Sequence, residues 1–163
     1  MTPLFVQVLV TVLARMFTSW RDAARIGIAA MFVFTGASHF SSLKHDMSAM
    51  IPPPFTGSLE LIYLTGILEI VGAIALLMYP WKRPAAWSLA ALMVALFPAN
   101  VYAALTNVTL GGQSATPLWF RGPLQLFWFA ILLWVARRKD ASTVHDGKSN
   151  RRAEWLAYRD GVM

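Results

Sequence analysis

The chain of 163 residues predicts an all-α integral membrane protein, a four-helix bundle of up-down topology with both termini in the cytoplasm. Three observations predict it. Of the residues, 57% are hydrophobic and 13% charged, too apolar for a soluble domain of this length. Four apolar runs, about Ala23–Phe40, Leu59–Tyr79, Ala85–Leu105 and Leu118–Ala136, approach the ~20 residues that cross ~30 Å of hydrocarbon. The basic residues lie on one side of those runs. Arg15, Arg21 and Arg25 precede the first, Lys82 and Arg83 separate the second and third, and Arg137, Arg138, Lys139, Lys148, Arg151, Arg152 and Arg159 follow the fourth. Only Lys44 and Arg121 fall on the other side, a positive-inside pattern that puts both termini in the cytoplasm. Topology and anionic headgroups account for the net charge of +6, so nucleic-acid binding is not needed to explain it. No cysteine is present, which excludes disulfide and thiol chemistry.

Residues 1–22 form the leading segment. Its apolar part, Pro3–Phe17, is short and interrupted by Arg15, and it has neither a basic start nor a small-residue cleavage site. It is expected to lie as an amphipathic helix at the inner interface. Residues 23–136 form the four-helix domain, and residues 137–163 a basic cytoplasmic tail.

The first span ends in FTGASHF, where Thr35, Gly36 and His39 share a helix face. His39 is read either as an interfacial histidine wetted by headgroup water or as part of a polar site. The loop after it begins as a short amphipathic turn. Pro52, Pro53 and Pro54 then predict an extended segment, and a loop of this length is either a functional lid or a connector.

The second span, LELIYLTGILEIVGAIALLMY, carries one carboxylate in its middle, Glu69. At 100° per residue, Thr65, Gly66, Gly72 and Ala73 fall on the side of Glu69, and Leu64, Ile67, Val71 and Ile74 on the other. A small, polar face packs on protein and an oily face meets lipid. A carboxylate at mid-bilayer costs roughly 3 kcal/mol, so Glu69 needs a partner or a proton. Glu60, in the first turn, is placed at the headgroups, where it complements the helix dipole.

PWKRP is a tight turn, and Pro84 suits the first turn of the third span. That span holds LFPANVY, in which Pro98 deprives the Val94 carbonyl of its donor and predicts a kink. Asn100 shares a side with Met93, Leu96, Ala103 and Ala104, either as a structural interhelical hydrogen bond or as part of a site. A polar, Gly-rich outer loop follows, and the fourth span opens LWFRGPLQLFWF with Arg121 and Gln125 one turn apart. Counted from the inner flank, His39, Asn100 and Arg121 lie about 14 to 16 residues up and Glu69 and Gln125 about 10 or 11, so roughly 6 to 8 Å separates the tiers. An arginine can bridge that gap, which predicts one polar network in the outer half. Either Arg121 pairs with an ionised Glu69, or a protonated Glu69 bonds Gln125 or His39. The network either locks the bundle or serves a site.

GASHF, MIPPP, YLTGILEIVGAIAL, LFPANVY and RGPLQ, in that order, resemble the DoxX family of small four-helix membrane proteins over about Gly27–Ala136. The resemblance puts His39, Pro52, Pro53, Gly66, Glu69, Pro98, Asn100 and Gln125 at signature positions. It implies kinship with a subunit of a thiosulfate:quinone oxidoreductase, with redox-stress complexes or with membrane-protein assembly. On that footing the expected function is a quinone- or lipid-binding accessory subunit of a membrane oxidoreductase system. The alternatives are a non-enzymatic assembly or chaperone-like factor and a catalytic quinone-reducing subunit. The residues expected to bind are His39, Glu69, Asn100, Arg121 and Gln125, with Gly36, Gly66, Gly72 and Pro98 packing helices and Pro52 and Pro53 shaping the loop. Quinone is the one cofactor the resemblance brings forward, and no metal site is predicted. The expected partners are membrane lipid, an amphipathic ligand, an oxidoreductase subunit or a second copy of the chain. The expected location is a bacterial cytoplasmic (inner) membrane.

Overall fold

The computed structural model describes residues 2–114 and 117–137. The tail expected after Arg137 lies outside the described residues. Within them are six helices and one short hairpin, and three of the helices, not four, are long and apolar enough to cross a membrane.

Helix α1 (Thr2–Arg15) and helix α2 (Trp20–Ser38) form an antiparallel pair joined by Met16–Ser19. Ser19 caps α2, its hydroxyl accepting the Asp22 N–H at 3.3 Å and donating to the Asp22 carboxylate at 2.7 Å. Asp22 also pairs with Arg25 at 2.7 Å. These charges explain why α2, at 19 residues, does not count with the three long apolar helices. Of the segment expected at residues 1–22, the described part, residues 2–22, holds α1, the connection and the start of α2. Helix α1 packs along α2, where a Cβ on Gly27 would meet Thr11 Oγ1 at 1.9 Å and the Gln7 carbonyl at 2.8 Å. A buried Gln7 side chain accepts a hydrogen bond from the Trp128 indole, which ties α1 to the last helix as well.

Helix α3 (Lys44–Ala49) precedes the tri-proline stretch. That stretch does not run extended. Its backbone groups find partners close by, Phe55 N–H on the Pro52 carbonyl at 3.2 Å and Gly57 N–H on that of Ser48 at 2.9 Å, so Pro52 and Pro53 lie in a turn. Helix α4 (Leu59–Leu77), capped by Ser58, buries Ile62, Gly66, Glu69, Ala73 and Leu76 and exposes Leu64, Ile67, Val71 and Ile74. The buried positions recur every three or four residues, the stripe of a helix packed on one side.

Helix α5 (Lys82–Leu105) carries Pro84 in its first turn and runs unbroken through Pro98. Strands β1 (Thr109–Leu110) and β2 (Gln113–Ser114) then pair antiparallel across Gly111 and Gly112, whose φ values of +60° and +75° are those of a tight hairpin turn. The Gly111 N–H donates to the Asp46 carboxylate at 2.8 Å, which fastens the hairpin to α3. Helix α6 (Leu118–Ala136) closes the described fold.

Helix α2 touches α4 and α6, α4 touches α5, and α5 touches α6. Arg21 donates to the Trp134 carbonyl at 2.8 Å and to that of Arg137, and Arg83 to that of Ala136 at 2.9 Å. One end of the fold is therefore basic, with guanidinium groups meeting the C-terminal carbonyls of α6. The opposite end carries α3, the proline turn and the hairpin. The apolar core lies toward the basic end, where alanines 24, 29, 73, 85, 86, 90 and 136 bring backbones close around Ile28, Met31, Leu76, Leu89 and Leu132.

Candidate functional site

The polar side chains expected in one network form two, on different helix pairs. The first lies between α2 and α4. Gly36 and Gly66 face each other there. A Cβ on Gly66 would come within 2.7 Å of His39 Cβ and 3.0 Å of the Gly36 carbonyl, and one on Gly36 within 2.9 Å of the Gly66 carbonyl. This approach brings Thr35 Oγ1 to 2.7 Å from Glu69 Oε2, and Glu69 is only 5% exposed. Thr35 Oγ1 also lies 3.1 Å from the Met31 carbonyl and 3.2 Å from that of Phe32. A hydroxyl has one proton and two lone pairs. Facing an ionised Glu69 it donates to the carboxylate. Facing a protonated one it accepts and gives its own proton to Met31. Thr35 can therefore serve either state of Glu69.

His39 is buried, which removes the reading of a headgroup-wetted histidine. Its Nδ1 lies 2.9 Å from the Thr35 carbonyl, an acceptor only, so Nδ1 carries the proton and Nε2 offers a lone pair in the neutral ring. Gly72 lies farther along α4, where a Cβ would press on Leu89 Cδ2 at 2.6 Å.

The second cluster is a ladder between α5 and α6. Arg121 Nη1 donates to Asn100 Oδ1 at 3.1 Å, Asn100 Nδ2 to Gln125 Oε1 at 3.3 Å, and Gln125 Nε2 to the Met93 carbonyl at 2.6 Å. The cation sets the direction of the whole ladder. A guanidinium can only donate, so Asn100 must present its oxygen, and each amide downstream turns accordingly. Beside the ladder runs an apolar groove of about 240 Å³, lined by Met93, Val94 and Phe97 of α5 and by Gly122, Leu126 and Phe129 of α6, with Gln125 at its side. A wider groove between α1 and α6 is lined by aliphatic and aromatic side chains alone, Leu4, Trp119, Phe120, Pro123, Leu124 and Phe127.

Neither expected bonding scheme for Glu69 forms. Among the described residues the one ion pair is Asp22–Arg25, and Glu69 bonds neither Arg121 nor Gln125 nor His39. Its partner is Thr35, a residue the sequence places on the face of Gly36 and His39. The signal lay in the facing glycines, which let the short Thr35 side chain reach across. Glu60 is exposed, and Pro98 is exposed on α5. No group of three or more potential metal ligands occurs among the described residues.

Residues 28–137 match the model of a family described as a domain of unknown function (DUF8561). That match overturns the assignment to the DoxX family. The motifs that carried the resemblance are glycines, prolines and isolated polar residues in apolar runs, which close helix packing in a membrane demands of unrelated families alike. No curated protein and no solved structure matches the chain.

Proposed function

The chain belongs to the DUF8561 family, whose description assigns no activity, and from that premise we propose that it is a membrane-embedded binding protein for an amphipathic molecule. The observation that carries this reading is the α5/α6 ladder running beside an apolar groove. Ligand sites in general combine an apolar lining with a few placed polar groups. In this reading α2 joins the three long apolar helices as a fourth span, in up-down order. The basic end, with Arg21, Lys82, Arg83 and Arg137, faces the cytoplasm, and the hairpin end the other side. The charged first turn of α2 then sits at headgroup level. The quinone and oxidoreductase elements of the expectation rested on the overturned resemblance and have no residue of their own.

The test is purification of the full chain with its native lipid, followed by mass spectrometry of what stays bound. An amphiphile retained at about one per chain, and lost from Gln125→Leu at unchanged helical content, is the expected result. Equal retention by both proteins refutes the reading, and a co-purifying membrane protein with no bound small molecule favours an assembly role.

A further inference from the structure

We propose that the occupant of the α5/α6 groove is an anionic glycerophospholipid, its phosphate on the Arg121 guanidinium and an acyl chain along Phe97, Gly122 and Leu126. The inference rests on the reading of the groove as an amphiphile site and adds the chemical class.

The argument is one of charge. Arg121 is half-buried in the first turn of α6 and has no carboxylate within ion-pair distance among the described residues. Of its five N–H donors the structure uses one, to Asn100 Oδ1 at 3.1 Å. The sealed, unpartnered side-chain nitrogens of the described fold belong to Arg21 and Arg25, so the remaining donors of Arg121 stay open to a further partner. The described acids of the hairpin end are already placed. Asp46 holds the Gly111 N–H at 2.8 Å, and Glu60 is exposed on α4. A cation partly withdrawn from water needs a counter-charge. Three residues into α6, Arg121 lies about 4.5 Å from the helix start, at headgroup rather than acyl depth.

The ladder holds the guanidinium in place. Asn100 grips one nitrogen and Gln125 anchors Asn100, so a phosphate diester meets a fixed fork of donors, the geometry arginine offers to phosphates. Below it the groove is apolar, and Gly122 leaves part of its wall without a side chain. Nothing lies within 4 Å of where a Cβ on Gly122 would stand, so the space there belongs to no other side chain.

The full chain in detergent micelles is mixed with equal amounts of dioleoyl phosphatidylglycerol and dioleoyl phosphatidylcholine, and bound lipid is counted by native mass spectrometry. The wild type is expected to retain one phosphatidylglycerol with about tenfold preference, the scale of a charge-assisted hydrogen-bonded contact. Arg121→Gln is expected to bring that preference within twofold. Arg121→Lys keeps part of it, and Lys82→Gln, a cation at the basic end, leaves it unchanged. Gly122→Leu fills the groove and releases lipid of either kind. Equal retention of the two lipids by the wild type, or a preference that survives Arg121→Gln, overturns the proposal. If Gly122→Leu releases lipid while headgroup charge has no effect, the lipid class is wrong and the amphiphile reading stands. If Gly122→Leu releases nothing, both fall.

Discussion

Replacing Thr35 by valine isolates the contact that holds Glu69. Valine keeps the shape of threonine and removes only the hydroxyl, which sits 2.7 Å from Glu69 Oε2. The carboxylate is 5% exposed, so water does not readily replace the lost donor. Leaving a buried acceptor unpaired costs about 1–3 kcal/mol, toward the upper end for a charged one. About 2 kcal/mol is therefore expected, or roughly 4–8 °C in melting temperature for a chain of this size. Glu69→Gln retains an oxygen for Thr35 and cannot carry a charge, so it is expected to cost less than about 1 kcal/mol. Thermal melts of Thr35→Val, Glu69→Ala, Arg121→Gln and the two double variants with Glu69→Ala give two cycles, since alanine removes the acceptor altogether. Coupling of about 1 kcal/mol or more is expected between 35 and 69, and less than about 0.5 kcal/mol between 69 and 121, which share no partner. A wild-type melt for Thr35→Val, or the larger coupling in the second cycle, would refute this assignment.

Gly66→Ala places a Cβ 2.7 Å from His39 Cβ and 3.0 Å from the Gly36 carbonyl, so α2 and α4 must separate. Overpacking of this kind costs about 1–3 kcal/mol, and the coupling between 35 and 69 should shrink with it, read from the same melts. Gln7→Leu strands the Trp128 indole N–H at the α1/α6 contact and is expected to cost about 1–2 kcal/mol. Adding Trp128→Phe removes the stranded donor as well, so the double variant should melt above Gln7→Leu alone. A double variant that melts lower refutes the bond as the source of the loss.

The face of each helix was legible in the sequence, and its neighbour was not. Spacing alone put Leu64, Ile67, Val71 and Ile74 opposite Glu69, and these are exposed while Gly66, Glu69 and Ala73 are buried. Counting residues from the inner flank gives height along the helices. It says nothing of the direction a side chain takes around them, so groups at one level were read as one network. Around the ring of contacts Glu69 looks to α2, whereas Arg121 and Gln125 look to α5. Helix α2 is the one of the four expected spans that length and hydropathy do not mark, because Arg21, Asp22 and Arg25 fall inside the helix and not ahead of it. The hairpin was missed too, although Gly111-Gly112 between short strand-forming residues is a readable two-residue turn. Short strands give little periodicity to notice.

The alanine-lined core near the basic end has a mechanical consequence. Alanine has no rotamers, so where helices meet through alanines they can slide or tilt only by moving backbone against backbone, and that half of the molecule is expected to be the stiffer one. Toward the hairpin the contacts run through Arg121, Asn100, Gln125, Thr35 and Glu69, whose bonds can exchange partners at little change in volume. A displacement imposed at the hairpin end is then a lever with its fulcrum at the alanines. The arms of the lever are α4, α5 and α6, which run from that core to the polar end.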